Sequence, residues 1–460
     1  MSPSGQSSVA RVIQGTYPKV LGILGVIIIA STGSASGAID PGVRGGGPGA
    51  SGPLPNLTAQ ELVYFQVGAE AFAEVDSVTG ALPGEPGEGL GPRFNLNGCA
   101  GCHAQPAMGG TSPAVNPQVA VATLDGAHNA VPWFVVANGP VREARFKKNP
   151  DGTPDGGVHD LFVISGRSDA ASCSIAQPDF GRPGSPLTGQ GGNPNVIFRI
   201  PTPLFGAGLI EAIQDSTILD NARAAADAKR RLGISGHPNL SGNDGTVTRF
   251  GWKAQNKSLR MFAGEAYNVE QGVTNQLFAQ ERDESPACLL NATPEDHLDL
   301  TATTPDAVLS DLEHFTNFMN LLAPPVPAPS SPSISNGSQI FGSIGCALCH
   351  TPALRTGTNM IAALSGQTVN LFSDLILHDM GMDLADGISQ GAAGPREFRT
   401  APLWGLGQRI FFLHDGRTAD LVEAIRAHAS VGSEANAVIF RAAVLSDADK
   451  QDLLNFLRSL

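Results

Sequence analysis

The sequence holds two clusters of reactive side chains with the same layout, NGCAGCH at 97–103 and GCALCH at 345–350. Each sets two cysteines three positions apart and places a histidine directly after the second. Two thiols at that spacing can each add to a vinyl group of a porphyrin, and the next histidine can turn beneath the ring and ligate iron. Cys99, Cys102 and His103 thus read as one c-type haem attachment site, and Cys346, Cys349 and His350 as a second. A thioredoxin-like redox pair would not require the histidine. A zinc site built from all four cysteines would leave the repeated histidine without a task.

The rest of the composition narrows the setting. The 460 residues are low in charged side chains (15%), rich in Gly (55) and Pro (34), and carry a formal net charge of -13. That balance predicts long ordered loops between short elements, and it argues against a nucleic-acid partner, which needs a positive footprint. Arg11 and Lys19 lead into LGILGVIIIA and then a small-residue run. This is the pattern of an export signal over 1–38, cleaved near 35–38, and its apolar core is too short to span a bilayer. The mature chain is expected in the periplasm with no stable transmembrane segment. In that oxidising compartment the leftover pair, Cys173 and Cys288, reads as a disulfide, the alternative being two separate buried thiols.

The elements that must position the clusters follow from periodicity and caps. Residues 39–55 carry no pattern and read as a flexible leader. A helix is expected over 57–75, capped by Thr58, with Leu62, Phe65, Ala69 and Phe72 as its apolar stripe. Short strands are expected at 160–166 and 195–200, a helix over 204–213, and another ending at Gly233. Leu309, Leu312, Phe315, Met319 and Leu322 mark a core-facing helix. Five prolines in 324–333 then interrupt any regular element and read as a linker. They divide an N-terminal domain, 56–323, from a C-terminal domain, 334–460. The latter has a helix before its cysteines, a looped middle, a helix over DLVEAIRAHA, and a final helix capped by Ser446 with Leu453, Leu454 and Leu457 inward. The fold class expected is mainly α: two cytochrome c-like haem domains with long loops and a few short β-strands.

With both clusters placed, residues 56–460 resemble the bacterial di-haem cytochrome c peroxidase superfamily, in the branch of di-haem oxidoreductases labelled "thiol oxidoreductase-like". The supporting stretches are TPLFGAGLIEAI, RFGWKAQNKSL, GEAYNVEQGVTNQLF, LILHDMG and, above all, REFRTAPLWGLGQRIFFLHDGRTADLVEAIRAH. The resemblance implies that the C-terminal haem transfers electrons and the N-terminal haem meets the substrate. Where the peroxidases carry a distal methionine and the methylamine dehydrogenase maturation enzyme a tyrosine, this chain has His428. His350 and His428 are therefore expected to ligate the second iron together, at a lower potential than a methionine would give. Related enzymes place a tryptophan between the haems, for which Trp252 and Trp404 are candidates, and a calcium ion, which carbonyls near Thr400 and Pro402 would match.

Other assignments stay open at this level. His159 and His128 are candidates for a distal ligand at the first haem, which could equally be open. The branch resembled uses a distal glutamate to move protons, and Glu211 and Glu265 are candidates. His378 and His414 are expected to organise a haem pocket, and Arg399, Arg409 and Arg417 to meet propionates. The reading is a peroxidase-like oxidoreductase fed by a small redox protein, a cytochrome or cupredoxin. The alternatives are a non-enzymatic electron carrier or an oxidase of a protein or organic substrate. Acid-acetone should leave the colour on the polypeptide, and a pyridine assay should find two c-type haems per chain. Fewer than two would contradict the reading of the clusters.

Overall fold

Thr58 opens the first helix, Ala59–Ala73, by accepting a hydrogen bond from the Glu61 N–H while the Glu61 carboxylate takes the Thr58 N–H. This reciprocal cap satisfies two donors that a helix start leaves open. Phe65, Gly68 and Phe72 then face inward, whereas Leu62 of the expected stripe stays exposed. The partner is the helix Asp311–Leu321. A side chain at Gly68 would stand 2.4 Å from the His314 carbonyl oxygen, so glycine is what lets the two backbones approach. A third helix, Leu259–Gln271, is capped by Ser258 and packs on the same partner. Together they bury Phe65, Phe72, Tyr267, Phe315, Phe318 and Met319 in one core.

The computed structural model describes residues 37–181, 194–282 and 284–460. The export signal expected over 1–38 lies outside these, save for Gly37 and Ala38. In the C-terminal part, the helices Pro332–Ile344 and Asp447–Ser459 pack closely, with Gly337 where they touch. Ser331 and Ser446 cap them, and Ile340, Phe341, Leu453, Leu454 and Leu457 fill the space between. The β content is minor. Its largest sheet is three-stranded and antiparallel, with Glu143–Phe146 between Val158–His159 and Val196–Arg199. The register sets Glu143 opposite Arg199. The fold is thus mainly α-helical, and no described helix is long and apolar enough to cross a membrane.

Several sequence expectations need correction. The helix expected to end at Gly233 is two, Asp215–Arg223 and Ala226–Leu232, because Ala225 turns left-handed at φ 52°. Gly233 does end the second in the left-handed conformation. The leader 39–55 is held in place: Asp40 forms a two-pronged pair with Arg458, at 2.7 and 2.6 Å, and Arg44 N–H bonds the Gly407 carbonyl. It lacks periodicity because backbone bonds and one ion pair hold it, not an apolar face. The proline run likewise donates from Val326 to Gly49 and from Ala328 to Ser459, and its Pro332 begins a helix. Ala38–Leu460 form one compact unit.

Cys173 and Cys288 are joined as a disulfide across 115 residues. It ties two loops at the edge of the core formed by Leu90, Phe94, Phe134 and Phe162. A cross-link closing a loop of this length restricts the unfolded chain by about 4.7 kcal/mol in the entropic account. The paired Cys173→Ser, Cys288→Ser variant should therefore unfold at clearly lower denaturant concentration. An unchanged midpoint would show that the bridge contributes nothing to stability.

Candidate functional site

The first cluster opens a cavity in the N-terminal half. Cys99–Cys102 is a single helical turn, and His103 ends it. The His103 Nδ1 lies 2.9 Å from the Gly110 carbonyl oxygen, which can only accept, so Nδ1 carries the proton and Nε2 is left with a lone pair. Burial pushes its pKa down to about 4, so the ring is neutral. Burial also pushes the thiols of Cys99 and Cys102 well up. Such thiols hold almost no thiolate at neutral pH, which is wrong for disulfide exchange. The cavity is walled by these residues and by Phe72, Tyr267 and Trp252.

The second cluster opens a cavity lined by four histidines, among them His350 and His428. His350 donates from Nδ1 to the Phe372 carbonyl oxygen at 3.1 Å, and His428 from Nδ1 to that of Ala424 at 2.8 Å. Burial pushes His350 to about 4 and lowers His428 as well. Both rings thus present a neutral Nε2, with orientation set by the backbone in the manner of ligating histidines. Arg399 and Arg409 line the same cavity. Burial pushes each down to about 10, and no carboxylate among the described residues faces either. Two buried guanidinium groups without an anion are costly unless something negative joins them.

His378 and His414 also line this cavity, in different states. His378 is clasped by Glu434 at 2.7 Å on Nδ1 and Asp374 at 3.0 Å on Nε2, so neither nitrogen is free. Burial opposes its charge, but Cys349, Asp374 and Glu434 outweigh burial and raise its pKa. Cys349, Asp374 and His378 lie close enough together to hold a metal ion. Such an ion would compete for a thiol of the CxxCH pair. His414 stacks on Phe398 at 4.3 Å and stays neutral, pushed by burial to about 4. Arg417 is the exception: it is exposed and engages Asp415 and the Asp383 carbonyl outside the cavity.

Trp252 lines both cavities and donates from its indole N–H to the Ile200 carbonyl oxygen at 2.9 Å. Trp404 lines neither; it packs in the N-terminal core against Gly206. The candidate histidines for the first haem are also elsewhere. His159 bonds Asp155 at 2.7 Å and stacks on Phe146, and His128 is exposed beside Gly166. Glu211 accepts the Leu259 N–H at 2.9 Å and so caps a helix, and Glu265 is bonded by Asn256. Neither reaches the cavity, because helix starts and turns claim them first. The Thr400 carbonyl accepts from Ser373 at 2.6 Å, and no carboxylate grouping among the described residues adjoins it and Pro402.

What the first cavity does contain is a carboxylate pair that sequence reasoning passed over. Glu143, on the sheet's central strand, and Glu270, near the end of Leu259–Gln271, hydrogen-bond to each other inside it. Burial works against a charge on Glu143, but Arg145 and Arg199 outweigh it and hold its pKa below the ordinary range. Arg145 Nε donates to Glu143 at 2.6 Å. Burial, and then the charge of Glu143, push Glu270 up to about 8. One carboxyl is thus ionised and the other protonated at neutral pH. The available signal was the strand VREARF, where Glu143 and Arg145 share one face at period two.

These donor sets fit covalently attached porphyrins: paired half-buried thiols, neutral imidazole Nε2 atoms, apolar walls, the guanidinium groups of Arg399 and Arg409 without a carboxylate, and the Nε atoms of Arg142 and Arg199, which have no partner among the described residues. A zinc site of four cysteines is ruled out by their lying in two different cavities. Residues 193–460, more than half of the chain, match the family described as "Di-haem oxidoreductase, putative peroxidase". The chain belongs to that family. No curated protein matches it. Among solved structures it resembles the hydrazine synthase of Kuenenia stuttgartiensis at 16% identity, covering 38% of this chain and 59% of that one, with a TM-score of 0.22. The di-haem peroxidase BthA of Burkholderia thailandensis E264 matches at 15% identity over 46% of this chain and 65% of that one, TM-score 0.28. A MauG-like protein associated with microbial copper homeostasis matches at 15% over 56% and 89%, TM-score 0.29. The chain thus spans less than two thirds of the first two.

Glu270 keeps its proton to about pH 8, whereas an unfolded glutamate loses it near 4.5. The folded chain therefore binds the extra proton within that window. The stability this site contributes is full below the window and lost as pH rises through its upper end. Glu270→Gln cannot ionise, so relative to the native chain it should gain stability between about pH 5 and about pH 9. A difference in denaturation midpoint that does not change with pH would contradict the assignment.

Proposed function

We propose that this di-haem oxidoreductase reduces peroxide in the first cavity, using electrons that a small redox protein, a cytochrome or cupredoxin, delivers at the second in the periplasm. Cys99, Cys102 and His103 would hold one haem, and Cys346, Cys349 and His350 the other. Bound haem supplies one-electron exchange in each cavity and, where a coordination position stays open, a place for peroxide. The observation that carries the reading is the asymmetry of the cavities. In the second, His350 and His428 are both neutral with Nδ1 held by a backbone carbonyl, whereas the first has His103 and a carboxylate pair.

Each residue's task follows from its state. His350 and His428 would both hold the haem of the second cavity, leaving that site to electron transfer and not to substrate. Arg399 and Arg409 would meet its propionate charge. Trp252, touching both cavities, is the bridge for electrons between them. In the first cavity Glu143 is ionised and takes a proton from one peroxide oxygen, while Glu270 gives its proton to the other, so that the leaving oxygen departs as water. Arg145 and Arg199 keep Glu143 charged, and so keep the two roles distinct.

Removing one partner of an acid–base pair typically lowers turnover by about 10²–10⁴-fold. Glu270→Gln should do so with peroxide while leaving the spectrum of the second haem unchanged. His428→Met should shift that spectrum and raise that haem's potential. Native turnover in Glu270→Gln would sink the peroxidase reading, and an unaltered spectrum in His428→Met would sink the ligand assignment.

A further inference from the structure

We infer that Tyr267 is a one-electron oxidation site beside the first cavity, with Asp311 receiving its phenolic proton. This rests on the peroxidase reading above and adds a second source of electrons to it. Tyr267 forms part of the cavity wall and is almost wholly buried. Its hydroxyl donates to Asp311 Oδ2 at 3.3 Å. Asp76 and Asp296 lie near the same ring, and burial raises the pKa of both, that of Asp76 well above the ordinary carboxylate range. Asp296 has a structural task, since it caps the helix Asp311–Leu321 by accepting the N–H groups of Asp311 and Leu312. Asp76 and Asp311 have no lysine or arginine partner among the described residues.

Uncompensated buried carboxylates around a phenol are an expensive way to satisfy one hydroxyl, which a backbone carbonyl would do at less cost. Asp311 suits a ring that loses an electron, because it already holds the hydroxyl hydrogen bond and stands ready for the proton. Tyr267 is also coupled to the cavity through packed rings. A series of ring contacts runs from Tyr267 to Phe315 (4.9 Å), to Phe72 (6.2 Å), and to His103 (5.9 Å).

The step balances simply. Reduction of one peroxide to two waters consumes two electrons and two protons. When only one electron has arrived through Trp252, Tyr267 supplies the other. Its O–H bond breaks, the proton forms a new O–H bond on the Asp311 carboxylate, and a neutral phenoxyl radical remains. The redox protein later returns the electron, and Asp311 the proton.

The test is rapid-freeze paramagnetic resonance on the haem-loaded chain after one equivalent of hydrogen peroxide, with haem absorption followed in parallel. A narrow radical signal with tyrosyl splitting is expected. Ring-deuterated tyrosine should narrow it, Tyr267→Phe should abolish it, Tyr64→Phe should leave it, and Asp311→Asn should reduce its yield with the phenol still present. Labelling needs no substitution, so the test survives a variant that folds poorly. Haem oxidation without a tyrosyl signal, or a signal that persists in Tyr267→Phe, would overturn the inference alone. Haem absorption unmoved by peroxide would overturn the peroxidase reading and this inference with it.

Discussion

A histidine can serve iron only if one ring nitrogen is unprotonated and pointed at it, and that constraint shapes both cavities. His103, His350 and His428 each spend Nδ1 on a backbone carbonyl, from Gly110, Phe372 and Ala424. The carbonyl fixes the tautomer and the ring plane together, and burial keeps the ring neutral. Two of those carbonyls, of Gly110 and Phe372, lie in irregular segments, and the third, of Ala424, in a short helix. The cavity chemistry therefore depends on the loops being as ordered as the helices. His378 is the counter-example: the same residue type, buried beside the second cavity, has both nitrogens engaged by carboxylates.

Charge is distributed with equal economy. An acidic chain buries guanidinium groups where an anionic cofactor would meet them, and pairs the rest internally. Arg199 reaches from the first cavity to Asp386, which also holds Lys253, all three nearly inaccessible to solvent. Lys253 in turn lies over the Phe398 ring, which stacks on His414 beside Trp252. The ground between the cavities is therefore a rigid mixture of ion pairs and aromatic rings, where relaxation around a transferred charge is small. The ordered leader serves the same rigidity, since Asp40 closes over Arg458 on the last helix.

How far this was legible in the chain differs from residue to residue. The CxxCH clusters carry their meaning in four or five consecutive positions, because thiol and imidazole must reach one ring from one turn. The caps at Thr58 and Ser446 and the stripe of Leu312, Phe315 and Met319 are also local, governed by hydrogen bonds and periodicity within a helix. His428 could be singled out because it ends a recognisable stretch. Glu211 and Glu265, by contrast, looked anomalous in apolar surroundings, yet one caps a helix and the other bonds a neighbouring asparagine. A carboxylate's task depends on which donor reaches it first, and that donor is usually far away in sequence.

The chain by itself singled out the two CxxCH clusters, the helix starts and the Cys173–Cys288 pair, since each depends on residues close together or on composition. Tertiary structure alone decided that Glu143 and Glu270 share a proton, that Trp252 and not Trp404 touches both cavities, and that Tyr267 faces Asp311. Those pairs are brought together by sheet register and helix packing across scores of residues. Their protonation is set by burial, which no short stretch of sequence contains.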